Sequence, residues 1–335
     1  MDEIITLDYG SGGKKTSGLI EKMILPAWKN PALSELGDGA VLKGAPEIVF
    51  STDSFVVDPL FFPGGDIGKL AVCGTLNDVA MCGGIPKYLS CSFIIEEGLR
   101  AEELEKIIAS MKKAAGSAGV QIVTGDTKVV EKGRGDGIYI NTSGIGFLKH
   151  PGLSPGNIRP GDAVIVSGTV GDHGTAVMLA RNGMLQSELK SDCADLSGLA
   201  DLVLSSAGGP GKIRVLRDPT RGGAATTLNE FIENTGLCIE LDENRIPVRS
   251  EVFAACEILG LDPLYCANEG KMICICSLDA ADKTVEIMRG TKEGENAAII
   301  GTVSEKYPGS VVMKTAAGGS RILRKLTGAQ LPRIC

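Results

Sequence analysis

Histidine is almost missing from this chain: His150 and His173 are the only two in 335 residues. Ten cysteines are present, but no two form a C-x-x-C pair. Together these absences argue against a zinc site. No basic block occurs and the formal net charge is −7, so nucleic acid and anionic membrane surfaces are not expected partners. The opening "MDEIITLDYG" is acidic, without the basic and apolar regions of a signal peptide. No apolar run approaches the ~20 residues of a membrane span. A cytoplasmic location is therefore expected, where thiols stay reduced. Two common nucleotide loops, G-x-x-x-x-G-K-[ST] and G-x-G-x-x-G, are also absent.

What is abundant is glycine, 45 residues clustered beside apolar runs, as in an α/β protein whose loops hold a ligand. The length suggests two domains. "IVFSTDSFVV" (48–57) reads as a strand. Asp66 caps a helix that Gly83, Gly84 and Pro86 end. A second helix is expected near 101–115, with strands near 120–124 and 138–148. The proline- and glycine-rich stretch 150–162 is the domain boundary. Beyond it come strands near 163–168, 237–241, 272–276 and 297–303. Helices are expected from about 175, before Gly236, and near 250–259 and 281–289. Cys274 and Cys276 share one face of a strand and read as core. This order is not a strict βαβ alternation, so the fold class is α/β (α+β) with mixed sheets. The expected divisions are 1–155, 156–318 and a tail, 319–335.

Four acids end or follow apolar runs in the first half: Asp38, Asp53, Asp78 and Asp126. Carboxylates converging on one cleft would suit Mg²⁺ bound to a triphosphate. "YGSGGKK" (9–15) offers loose backbone N–H groups and Lys14, a combination suited to phosphate. Lys128 and Glu269 could each move a proton if they faced a closed cleft. His173 reads as a hydrogen-bonded structural residue. The sequence ends on Cys335, a position that suits a swinging carrier thiol.

The segments "GSGGKK", "GDGAV", "STDSFVVDPLFFPGGDIGKLAVCGTLNDVAMCGGIP", "TGDTKVV", "GDHGTAV", "RDPTRGG", "ANEGK" and "LPRIC" span nearly the whole chain. In them the sequence resembles the HypE family of hydrogenase maturation factors. That family lies within the superfamily of aminoimidazole ribonucleotide synthetase, selenophosphate synthetase and thiamine-monophosphate kinase. The resemblance implies a two-domain aminoimidazole ribonucleotide synthetase-like fold, a flexible C-terminal tail, and a homodimer paired through the N-terminal domains. It implies an ATP and Mg²⁺ site formed by Asp38, Asp53, Asn77, Asp78 and Asp126, with Lys14 near phosphate. Of these, Asp38, Asp53, Asp78 and Asp126 are the metal candidates. It implies that Cys335 takes a carbamoyl group from a HypF-type carbamoyltransferase. The thiocarboxamide is then dehydrated with ATP to a thiocyanate, Lys128 and Glu269 handling protons. The cyano group passes to iron on a HypC–HypD complex. Other ATP-using enzymes of the superfamily and a non-catalytic ATP-gated scaffold are the rival readings.

Overall fold

The computed structural model describes residues 3–11, 13–37, 39–184, 188–208, 211–326, 328, 331 and 333–335. Three short helices, α1 (Lys14–Leu19), α2 (Leu25–Trp28) and α3 (Pro31–Ser34), precede the first strand. In β1 (Ile48–Phe55) burial alternates: Phe55 and, less fully, Val49, Ser51 and Asp53 turn inward, while Ile48, Phe50, Thr52 and Ser54 stay exposed. That alternation specifies a strand with one covered and one open face. A ribbon of β2 (Phe61–Phe62) and β3 (Gly65–Asp66) leads into α4 (Ile67–Met81). Asp66 caps α4 as expected, accepting hydrogen bonds from the N–H groups of Gly68 and Lys69 at 2.8 and 3.1 Å. Then follow β4 (Gly84–Glu96), α5 (Ala101–Ser117), β5 (Gln121–Val130) and β6 (Ile138–Leu148). The four long strands form one sheet in the order β1-β6-β4-β5, in which only β4 and β5 run parallel.

The second half contains β7 (Ala163–Val166), α6 (Asp172–Arg181), α7 (Ser197–Ser206), β8 (Ile213–Arg217), α8 (Gly223–Ile232) and β9 (Cys238–Asp242). It continues with α9 (Ser250–Leu259), β10 (Ile273–Cys276), α10 (Leu278–Arg289), β11 (Ala298–Ser304), β12 (Val311–Lys314) and β13 (Ser320–Leu323). Seven of these strands make a mixed sheet, β13-β12-β9-β11-β7-β10-β8. Its two faces bury separate apolar layers, one holding Phe231 and Ile239, the other Cys274, Cys276 and Met288. The two cysteines are wholly buried, as core residues should be. Between the sheets lies α4. It is buried almost all round, because one side covers the first sheet and the other meets α7 and β8.

Three local expectations change. The glycines and proline at 83–86 end a helix, but they also begin β4, an interior strand that composition conceals. Pro86 lacks an N–H, and the ladder shifts register beside it, between Pro86 and Tyr88. The strand expected near 120–124 runs on through "TGDTK". That motif lies within β5, and Gly125 is needed there because a Cβ would stand 2.2 Å from the Cys91 carbonyl oxygen. Finally, residues 320–323, placed in the tail by sequence, pair with β12 as the last strand of the sheet.

Candidate active site

Acidic side chains from both domains converge where α4 meets the second sheet. Asp53 comes from β1 and Asp78 from α4. The Ser51 hydroxyl donates to Asp78 at 2.7 Å, and the Ser54 N–H donates to Asp53 at 2.7 Å. Burial pushes both carboxyls above the usual range, and Asp53 adds to the upward push on Asp78. Arg217 and Arg221, from the second domain, oppose that push on Asp78. Asp218 lies between these arginines in sequence and is pushed up to about 7, by burial first and then by Asp78. Glu269 is the deepest of the set at 1 % exposure. Burial raises its pKa well above the carboxylate range, and Asp218, Asp192 and Asp53 push the same way.

The loop carrying Glu269 is clamped by its backbone. The Glu269 N–H donates to Asp192 at 3.0 Å, and its carbonyl accepts from the Ala194 N–H at 3.1 Å. A side chain at Gly270 would collide with the Asp192 carbonyl, since a Cβ would stand 1.8 Å from its oxygen. The "NEGK" island is thus a buried elbow pressed against residues 192–194.

Cys335 reaches the same place. It is half-buried, and its thiol lies against the Glu269 carboxyl. Burial, then the Glu269 charge, hold the thiol pKa well above its ordinary value. Ile334 beside it is 3 % exposed and belongs to the first domain's core. His173, wholly buried, sits between the Ser191 hydroxyl and the Ile334 carbonyl, each 2.8 Å from a ring nitrogen. Its expected structural role therefore has a definite object, the closing segment of the chain.

The other expected site residues are scattered. Asn77 is buried and ties α4 to the second domain: its amide donates to the Ala194 carbonyl at 3.1 Å and accepts from the Leu196 N–H at 2.8 Å. That makes it an interdomain clasp rather than a group turned toward the cleft. Asp126 and Lys128 pair with each other at 3.3 Å, both exposed on β5. They lie on the open face of the first sheet, whereas Asp53 lies on the covered face of the opposite edge strand. Three strand spacings separate those edges, about 14 Å. Lys14 is exposed at the start of α1, and the preceding loop lies against β5, where a Cβ on Gly10 would stand 2.4 Å from the Val129 nitrogen. Asp38 lies outside the described residues.

Residues 36–148 match the family described as AIR synthase related protein, N-terminal domain, and residues 159–314 match the corresponding C-terminal domain family. Carbamoyl dehydratase HypE of Azotobacter vinelandii is 49% identical over 335 residues, covering 99% of this chain and 97% of that protein. The chain belongs to the HypE family. A crystal structure of hydrogenase maturation protein HypE in complex with ATP shares 48% identity at a TM-score of 0.94, covering 98% of this chain and 99% of that one. The HypE chain of a crystallised HypE–HypF complex shares 48% identity at a TM-score of 0.79, covering 92% and 99%. For this member of the HypE family, sequence reasoning missed Asp192, Asp218 and Arg221. The "RDPTRGG" motif marked a helix start, but nothing local marks which of its charges faces the cleft.

Proposed function

We propose that the chain uses ATP to remove water from a carbamoyl group carried on the Cys335 sulfur, making a thiocyanate. Its cyano group would supply the iron centre of a nickel–iron hydrogenase. The carrying observation is the Cys335 thiol against the buried Glu269 carboxyl, in a cleft that also gathers Asp53, Asp218 and Arg221. A primary amide loses water poorly because oxide is a poor leaving group. Transfer of the γ-phosphoryl group of ATP to the amide oxygen makes phosphate the leaving group. Loss of both N–H protons then closes the nitrile. Glu269 stands beside the sulfur, within reach of that nitrogen, and a carboxyl with a raised pKa suits proton transfer near neutrality. Burial keeps water from the phosphorylated oxygen.

Asp53 and Asp78 are hard oxygen donors that suit Mg²⁺. Among the described residues no three ligating side chains converge, which fits an ion that takes one or two carboxylates and completes its shell with phosphate and water. Bound there, Mg²⁺ would offset triphosphate charge. A HypF-type carbamoyltransferase is the proposed donor and a HypC–HypD iron complex the proposed acceptor. Both meetings require Cys335 outside the cleft. No helix among the described residues is long and apolar enough to cross a membrane, and all ten cysteines are free thiols, in keeping with a reducing cytoplasm.

Intact mass with HypF, carbamoyl phosphate and ATP tests the reading. The protein should gain one carbamoyl group and then lose one water. A protein that binds ATP without either change would be an assembly scaffold. Asp78→Asn should weaken Mg–ATP binding by at least about tenfold and block dehydration while sparing carbamoylation. Unchanged ATP titration and thiocyanate yield would remove Asp78 from the site.

A homodimer reconciles the scattered residues. The first sheet leaves Phe50 63%, Ile48 53% and Ile94 44% exposed on its open face, and such a face calls for a partner. A second copy seated there would bring its Asp126 and Lys128 toward this copy's cleft. Lys128→Ala and Glu269→Gln chains, each inactive alone, should then complement when co-assembled. Random pairing gives about a quarter of wild-type dehydration, since half the dimers hold one intact site of two. No recovery on mixing would confine both residues to one chain.

A further inference from the structure

We infer that Arg333, gripped by Asp58, Asp136 and Arg181, is a latch that seats Cys335 in the cleft, and that its release presents the thiol to an external donor. The consequence for catalysis rests on the carrier reading above; the latch itself does not. The Arg333 guanidinium reaches both carboxylate oxygens of Asp136 at 2.9 Å and one of Asp58 at 3.3 Å. The Arg333 carbonyl accepts from the Arg181 guanidinium at 2.6 Å and from the Asp58 N–H at 3.2 Å. Arg181 also donates to the Asp58 carbonyl at 2.8 Å. Asp58 and Asp136 belong to the first domain and Arg181 ends α6 of the second, so the grip spans both. One residue further on, His173 holds the Ile334 carbonyl. A carbonyl can only accept, so Nε2 donates to Ile334 while Nδ1 pairs with the Ser191 hydroxyl, and burial pushes the ring's pKa down.

This seat is built to be left. Among residues 333–335 only Ile334 is sunk in the core. Arg333 takes φ 52°, a left-handed conformation that costs an L-residue, so its contacts must offset its backbone. Its ion pairs are half-exposed, and pairs of that kind contribute little each. The seated state is thereby only modestly favoured, with the released state a minor but accessible population, as a carrier visiting two places requires. Loading needs the released state, because the seated thiol is held protonated and shielded. Dehydration needs the seated one. Loosening the latch must move the two steps in opposite directions, which mere structural damage would not do.

The test compares Asp136→Asn and Arg333→Met with wild type, with Arg333→Lys as the conservative variant. Iodoacetamide labelling of Cys335, read at the peptide level on the protein alone, reports the released state. Asp136→Asn should label about two- to fivefold faster, Arg333→Met about tenfold faster, and Arg333→Lys between wild type and Arg333→Met. Asp136→Asn leaves the tail sequence intact, so it is the variant for the coupled assay. Carbamoylation by HypF should be at least as fast as wild type, and single-turnover dehydration of loaded protein should fall, by less than the labelling factor because it follows the seated fraction. Wild-type labelling rates in both Asp136→Asn and Arg333→Met would overturn the latch, as would equal losses in loading and dehydration. Faster labelling in these variants, with no carbamoyl uptake by wild type, would retain the latch and overturn the carrier reading.

Discussion

Alanine at position 335 is expected to leave a folded, ATP-binding protein that takes up no carbamoyl group. Cys335 is half-buried at the edge of the first core, and its thiol lies against Glu269. Losing such a side chain should shift stability by no more than about 1 kcal/mol. Loss of loading would therefore report on the thiol and not on the fold. Of the nine other cysteines, eight are buried and only Cys82 is exposed. Burial, then Asp78, push the Cys82 thiol pKa up, which leaves it a poor nucleophile at neutral pH. The same rule explains why loading must occur away from the cleft. In its seat the Cys335 thiol is held well above its ordinary pKa, whereas on a released segment it would regain the usual thiolate fraction. Intact mass after incubation with HypF, carbamoyl phosphate and ATP is the measurement. A carbamoylated Cys335→Ala protein, with the group mapped to Cys82, would move the carrier elsewhere and undo the assignment.

The sequence disclosed elements whose signal is local. Asp66 as a helix cap, the apolar stripe of α5, and the strand at β1 each depend on neighbours within a few residues. It concealed β4, because Gly84 and Pro86 look like a stop and only the register shift in the finished sheet makes room for proline. It left open where Asp126 and Lys128 face for a different reason. Their motif reads as charges following an apolar run, but the facing of a β-strand residue depends on register, and one step along the strand reverses it. Asn77 and Asp78 are adjacent in α4, and one became a clasp while the other entered the cleft. Helix geometry sends neighbours to different faces, but which face meets which domain is a tertiary fact. Asp192 and Asp218 were invisible as site residues, since their significance lies in crowding Glu269 from distant parts of the chain. Glu269 and Cys335, named from sequence, are in contact across 66 positions.

Glu269→Gln should load normally and bind ATP, yet stall before thiocyanate. Glutamine keeps the size of the side chain and most of its hydrogen bonds but cannot accept a proton. Stability should not confound the result. A carboxyl whose folded pKa is raised above its unfolded value favours the fold only at low pH, and that contribution is lost as pH rises through the folded pKa. Burial raises Glu269 in this sense, so above the ordinary carboxylate range its ionisation opposes folding. Uncharged glutamine avoids that penalty, and the variant should unfold no more readily than wild type. General-base catalysis contributes typically about 10²- to 10⁴-fold, which is roughly 3–5 kcal/mol of barrier. Single-turnover dehydration of pre-carbamoylated protein should fall by that factor. Its pH profile should change as well. In wild type the rate should decline as pH drops through the raised Glu269 pKa, above the ordinary carboxylate range, and in the variant that limb should vanish. A Glu269→Gln rate within about threefold of wild type, far below the general-base range, would place Glu269 outside the chemistry. Its carboxyl would then be only part of the seat that positions the thiol.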